Sequence, residues 1–221
     1  MGSEMCIRDS TKPQKENQQV GMLKKSWKRS EMLRSWVFWA AVPGLMTSPM
    51  ITTTLFFHQV HLVEIKSWDL STYVLFIPAY SAATLFSLYL IGYLVDKLST
   101  KIILPVFLFP LISGLLLLSI ATTYLELLFI FILLGLSAGA YTVVYGTFFP
   151  EFFGSLYLGS VRTVGVTIMV FSSAIGPVLS GYFIDLGYLI DHQFKFFAAF
   201  SVFASLLFLT INLSVKLPEK A

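Results

Sequence analysis

Long apolar stretches alternate with short charged patches along this chain. The apolar runs cover 36–60, 72–95, 102–122, 125–149, 163–187 and 195–215. Each is about as long as a helix must be to cross the roughly 30 Å of hydrocarbon in a bilayer. A backbone placed there has no water to pair with, and a helix pairs its polar groups internally. The pattern therefore predicts an all-α, polytopic membrane protein with six transmembrane helices. An even number of crossings puts both termini on one side. The clearest boundary is the charged hinge from Gly92 to Lys101, Gly-Tyr-Leu-Val-Asp-Lys-Leu-Ser-Thr-Lys, between the second and third runs.

Composition agrees. The chain has 221 residues, 56% of them hydrophobic and 12% charged, with a mean hydropathy of +0.78, outside the range of soluble domains. Cationic loops are retained in the cytoplasm. With the termini inside, thirteen of the fifteen Lys and Arg residues fall on the inner side, and only Lys66 and Lys195 on the outer. The net charge of +3 is thus a topology signal and implies no nucleic-acid partner. The expected organisation is a polar, basic cytoplasmic segment over 1–34, a membrane bundle over 35–217 and a short tail over 218–221. The single cysteine, Cys6, implies no disulfide or metal framework. The first twenty residues have no apolar core for a secretion signal, and Cys6 breaks the acylation pattern that Met1-Gly2-Ser3 begins.

Polar residues inside the runs are the candidate chemistry. The first run holds Pro43 and Pro49, each of which removes a backbone donor, and the threonines Thr47, Thr52, Thr53 and Thr54. Positions 47, 51, 54, 58 and 61 recur at helical spacing, which puts Thr47, Thr54, His58 and His61 on one face. Tyr80, Tyr141, Thr142, Tyr145, Ser172 and Ser173 could line a substrate path with Thr47 and Thr54. Each taken alone reads as an interhelical hydrogen-bonding residue. His58 and His61 are candidate proton-responsive groups near the outer edge, and no four-ligand metal set has recognisable spacing. No cofactor is implied. Gly135-Leu-Ser137-Ala-Gly139 matches the nucleophile elbow of serine hydrolases, but that motif needs a strand-to-helix turn. Inside an apolar run, Gly135 and Gly139 read as a small face for close helix packing.

Two short internal matches suggest a repeat. Gly92-Tyr-Leu-Val-Asp96 parallels Gly181-Tyr-Phe-Ile-Asp185, and Phe56-Phe57-His58-Gln59 parallels Phe148-Phe149-Pro150-Glu151. Three helices map on to three, with matching ends on opposite sides, as in inverted-repeat transporters. Gly92-Tyr-Leu-Val-Asp96-Lys97 with Lys101 resembles the loop motif of the major facilitator superfamily. Ser173-Ala-Ile-Gly176-Pro177 through Gly181 is similar to that family's Gly-Pro motif, a helix-packing element. The run from Arg34 through Phe57-His58-Gln59, and Pro150-Glu151-Phe-Phe-Gly154 to Gly159 and Arg162, also resemble bacterial members. The sequence departs from the loop motif at Ser99, where the family carries Gly.

The resemblance covers about residues 30–216 and implies the C-terminal six-helix half of a transporter with a 3+3 inverted repeat. Such a half lies in the bacterial inner (plasma) membrane and moves a small solute by alternating access, paired with an N-terminal six-helix half or a second copy. The resemblance leans toward small organic anions. It makes Asp96, with Lys97 and Lys101, a conformational latch whose partner helix lies in the other half; within this chain Arg162 is the local candidate partner, since a cation at a helix N-terminus opposes the dipole and needs compensation. The alternatives are a non-transporting membrane assembly or receptor protein and an intramembrane serine hydrolase using Ser137. The expectation is not an enzyme.

Overall fold

Some helix breaks of this chain fall at a proline or glycine, as at Pro105 and Gly154, while the helices Trp36–Phe57, Tyr124–Phe153 and Leu158–Asp185 run on through theirs. The computed structural model describes residues 21–23 and 25–215; the leader with Cys6 and the tail over 218–221 lie outside the described residues. Among the described residues the chain is helical without strands, in the order α1 (Arg29–Met32), α2 (Trp36–Phe57), α3 (Gln59–Ile65), α4 (Leu70–Leu75), α5 (Ile77–Leu98), α6 (Thr100–Ile103), α7 (Phe109–Ile120), α8 (Tyr124–Phe153), α9 (Leu158–Asp185) and α10 (Ile190–Ser214). Five segments are long and apolar enough to cross a membrane: α2, α4 with α5, α8, α9 and α10. The protein is an all-helical integral membrane protein by that measure.

The third apolar run, expected as one helix over 102–122, is broken. Pro105 cannot donate to the Lys101 carbonyl, nor Pro110 to that of Val106. The intervening chain tightens into turns, with Val106 N donating to Ile103 O at 3.0 Å and Phe109 N to Val106 O at 3.0 Å. The regular helix that follows has only 12 residues, about 18 Å of rise. Elsewhere the helices outrun the apolar runs. α8 begins in a capping box, where Thr123 N donates to Glu126 Oε2 at 2.8 Å and Glu126 N to Thr123 Oγ1 at 3.4 Å. It stops at Gly154, whose φ of +82° suits a residue without Cβ.

Polar contacts gather the ends of these segments into two groups. At one end, Thr100 reaches Glu151, and the chain before α1 lies on the end of α8, with Met22 N donating to Glu151 O at 2.7 Å and Trp27 N to Phe153 O at 2.9 Å. These donors serve carbonyls that a helix end leaves unpaired. At the other end, Trp68 Nε1 donates to Thr122 O at 3.0 Å, Asp69 N to Tyr124 Oη at 2.9 Å, and Lys66 Nζ pairs with Asp191 Oδ1 at 2.9 Å. Asp69 also caps α4, and the amide and hydroxyl of Thr72 hold its carboxyl below the usual carboxylate range. The five long segments, with the shorter α7 between the second and third of them, therefore alternate in direction, and Asp96 and His58 stand at opposite ends.

α2 and α8 are the most buried spans, while α5 and α9 are the least. α5 packs on α8 and α9 on α2; α7 and α10 pack on each other, α7 also on α8 and α10 also on α2. Lipid tails are as apolar as leucine, so close contact rather than water exclusion must hold these helices together. Glycines permit it. A Cβ on Gly135 or Gly139 of α8 would strike the Tyr80 or Thr84 carbonyl oxygen of α5, and one on Gly176 of α9 would strike the Met50 carbonyl of α2. The outward surface is oily, with Tyr89 83% and Val178 71% exposed, as a bilayer requires.

Candidate functional site

Pro49 and Pro177, two of the four prolines inside the long helices, leave backbone acceptors open within the bundle. Pro49 removes the donor that would serve Leu45 O, and Pro177 removes the one for Ser173 O. Both vacated carbonyls face hydroxyls from another helix. Tyr141 Oη of α8 donates to Leu45 O at 3.0 Å, and Thr53 Oγ1 of α2 lies 3.1 Å from Ser173 O on α9. Neighbouring side chains thus supply what hydrocarbon cannot. The two cases differ in one respect. Tyr141 serves Leu45 O alone, whereas Thr53 Oγ1 is also in hydrogen-bond range of Pro49 O and Met50 O. A hydroxyl has one proton, shared here among three carbonyls, so Ser173 O is a less fully satisfied acceptor than Leu45 O.

That acceptor borders a groove of about 650 Å³ between α2 and α9, lined by Thr52, Thr53 and Phe56 on one side and Ser173, Ala174 and Pro177 on the other. It opens between the middle of the bundle and the His58 end. Phe57 and Val178, both exposed, complete the lining. The groove is mostly apolar, with the threonine hydroxyls and the Ser173 carbonyl as its polar groups, and such a groove can hold a small molecule by ring contact and a few hydrogen bonds.

The residues expected to line a path are only partly brought together. Ser173 reaches the groove, with its hydroxyl turned back to Val170 O at 2.8 Å. Thr47, Thr54 and Ser172 are buried between helices and bond to carbonyls of their own helices, Pro43 O, Met50 O and Met169 O. Tyr145 is buried beside Tyr141, ring centroids 5.7 Å apart, and its hydroxyl has no partner among the described residues. Tyr80 lies edge-on to Phe56, centroids 5.6 Å apart, and Thr142 is exposed on α8. The face carrying positions 47 and 54 is thus a packing face; Thr52 and Thr53, one step round the helix, line the groove. The sequence signal for them was Pro49 in α2 together with Pro177 in α9.

At the charged hinge, the cap comes from a residue outside the expected latch. Glu151 of α8 accepts from Thr100 N at 3.0 Å and from Thr100 Oγ1 at 2.7 Å, and that hydroxyl is 2.6 Å from Thr147 Oγ1. Asp96 is exposed and makes no ion pair or hydrogen bond among the described residues, although its charge acts on Glu151. Lys97 Nζ sits 4.4 Å from the Tyr93 ring centroid. Lys101 is 8% exposed and Arg162 exposed, and neither forms an ion pair among the described residues. Asp96 and Arg162 are therefore not joined here.

His58 ends α2, its Nδ1 3.2 Å from Thr54 O, and His61 is half-buried on α3. No group of three metal-ligating side chains occurs among the described residues. Ser137 is buried in the middle of α8, and its hydroxyl has no partner among the described residues. Gly135 to Gly139 are helical throughout, so the sharp turn of an elbow is not formed there. Gly181 is nearest to His58 Nε2, at 3.5 Å from a Cβ built on it. Neither a protein family nor a curated protein sequence matches the chain.

Proposed function

We propose that this chain is a six-helix half of a secondary transporter of the major facilitator type, moving a small polar solute by alternating access. The observation that carries the reading is the way the spans pack. Exchanging the first three spans for the last three turns the α5–α8 contact into the α9–α2 contact and the α7–α8 contact into the α10–α2 contact, and leaves the α7–α10 contact unchanged. That is what a 3+3 repeat entails. The groove between α2 and α9 has its counterpart between α5 and α8, lined only by apolar residues such as Ala79, Ala83 and Leu136. Polar groups are concentrated in one member of the pair, which is the member we assign to the solute.

Alternating access needs a second bundle. The sparsely covered faces of α5 and α9 are the surfaces we assign to it, whether it is supplied by six further spans or by a second copy. Asp96, Lys97 and Arg162, exposed at the ends of those helices, are free to pair across that seam in one state and separate in the other. We assign both termini to the cytoplasm of a plasma membrane, on the support of the Lys and Arg excess on that side of the sequence.

Cysteines placed at Thr52 and Ser173 on a Cys6→Ser background test the reading. In proteoliposomes holding the complete transporter, both should react with a membrane-impermeant thiol reagent, and a transported organic anion should slow the reaction several-fold. A groove closed to the reagent from both sides, or labelling that no member of a panel of small organic acids and sugars slows, would sink the proposal.

A further inference from the structure

A second crevice, of about 200 Å³, opens between the last turns of α9 and the first turns of α10, lined by Leu179, Ser180, Phe183, Tyr188, Gln193 and Phe196. Its walls are apolar and open outward, with Leu179 45% and Phe196 68% exposed. Its floor is polar. Ser180 and Gln193 are both buried, at 1% and 7% exposure, and Ser180 Oγ donates to Gln193 Oε1 at 2.6 Å. With the amide oxygen turned to Ser180, Nε2 is left buried and without a partner among the described residues. A buried donor left unpaired is costly.

The depth of this donor points to its acceptor. Asp185 ends α9, and Asp191 and His192 open α10, so the polar boundary lies there. Ser180 stands five residues inside Asp185, about 7.5 Å along the helix, at the margin between hydrocarbon and headgroup layer. A water there would bond Gln193 Nε2 and Ser180 Oγ but leave the apolar walls of Leu179, Phe183 and Phe196 uncovered, whereas an acceptor carrying an alkyl chain serves the donor and covers the walls.

We propose that the crevice binds the acyl-ester end of a membrane glycerolipid, with the ester carbonyl accepting from Gln193 Nε2 and the chain lying over Leu179, Phe183 and Phe196. The space is below the roughly 300 to 1,000 Å³ of pockets that enclose a whole small molecule, so it takes one ester and the first part of its chain. This site does not depend on the transport reading.

The test uses the intact protein in nanodiscs containing a trace of phosphatidylcholine with a photoreactive acyl chain. Unlabelled diester and diether phosphatidylcholine compete with it, and adducts are mapped by mass spectrometry. The diester should compete for adducts at residues 179–197 about two- to tenfold better than the diether, the range one hydrogen bond supplies. Adducts on α5 should show no such preference, and Gln193→Leu should remove it. Equal competition in the unmodified protein overturns the proposal, and so does a preference that survives in Gln193→Leu.

Discussion

Glu151, in the last turn of α8, holds both the amide and the hydroxyl of Thr100 at the first turn of α6. A carboxylate at a helix start satisfies an orphan donor and favours the local dipole. Here it also ties the fourth span to the third.

Replacing that carboxylate should therefore be felt. Glu151→Ala is expected to cost about 1–3 kcal/mol, because the Thr100 donors are left unpaired, and Glu151→Gln less, because one acceptor remains. Asp96→Asn, at an exposed position without a partner, should change stability by no more than about 0.5 kcal/mol. Unfolding curves in detergent would separate these cases. Equal losses at positions 96 and 151 would contradict the assignment.

Ser99 connects α5 to α6 with φ +80° and ψ 152°, a region essentially reserved for glycine, where other residues carry about 1–3 kcal/mol of strain. This is the position at which the sequence departs from the loop motif it resembles. Ser99→Gly should stabilise the protein by about 1 kcal/mol, after subtracting the ~0.5–1 kcal/mol of extra freedom that glycine loses on folding. The midpoint of thermal unfolding should rise; a fall would mean that the Ser99 side chain contributes more than its backbone costs.

The glycines divide into two classes. Gly135→Ala, Gly139→Ala and Gly176→Ala each press a methyl group on to a neighbouring helix's carbonyl, and should cost about 1–3 kcal/mol through overpacking. Gly92 and Gly146 have nothing within 4 Å of a built Cβ. Alanine there should be neutral or stabilise by up to about 1 kcal/mol, since glycine weakens a helix interior. Detergent unfolding of the five variants gives the comparison, and a common loss across all of them would refute the packing account.

The alternation of the spans can be read chemically. Single cysteines at Ser67 and Asp96, on a Cys6→Ser background, should react with an impermeant reagent from opposite sides of the membrane, position 96 from the cytoplasm. Labelling of both from one side would overturn the topology.

Much of the architecture was legible in the sequence, and the failures are instructive. Pro43 and Pro49 leave α2 continuous while Pro105 and Pro110 break the third run, although all four remove a donor. The difference lies partly in Tyr141, which serves Leu45 O from another helix. Likewise, periodicity grouped Thr47 with Thr54 correctly but could not say whether that face met a groove or a neighbour. The α2 positions on the groove are Thr52 and Thr53, chosen by where α9 lies. Glu151, named in the sequence only as part of a repeat match and a loop, has its capping role because α8 continues past the apolar run that marked its expected end.

The helical character of the chain and the places of its five long apolar helices followed from the sequence itself, because transfer of a segment into hydrocarbon depends on that segment's own length and composition. Which vacated carbonyl found a hydroxyl, which carboxylate capped which helix, and which donor at Gln193 stayed unpaired were decided only by tertiary structure. Hydrogen bonds act over about 3 Å, and residues such as Thr53 and Ser173, 120 positions apart in the chain, come that close only when the helices have packed.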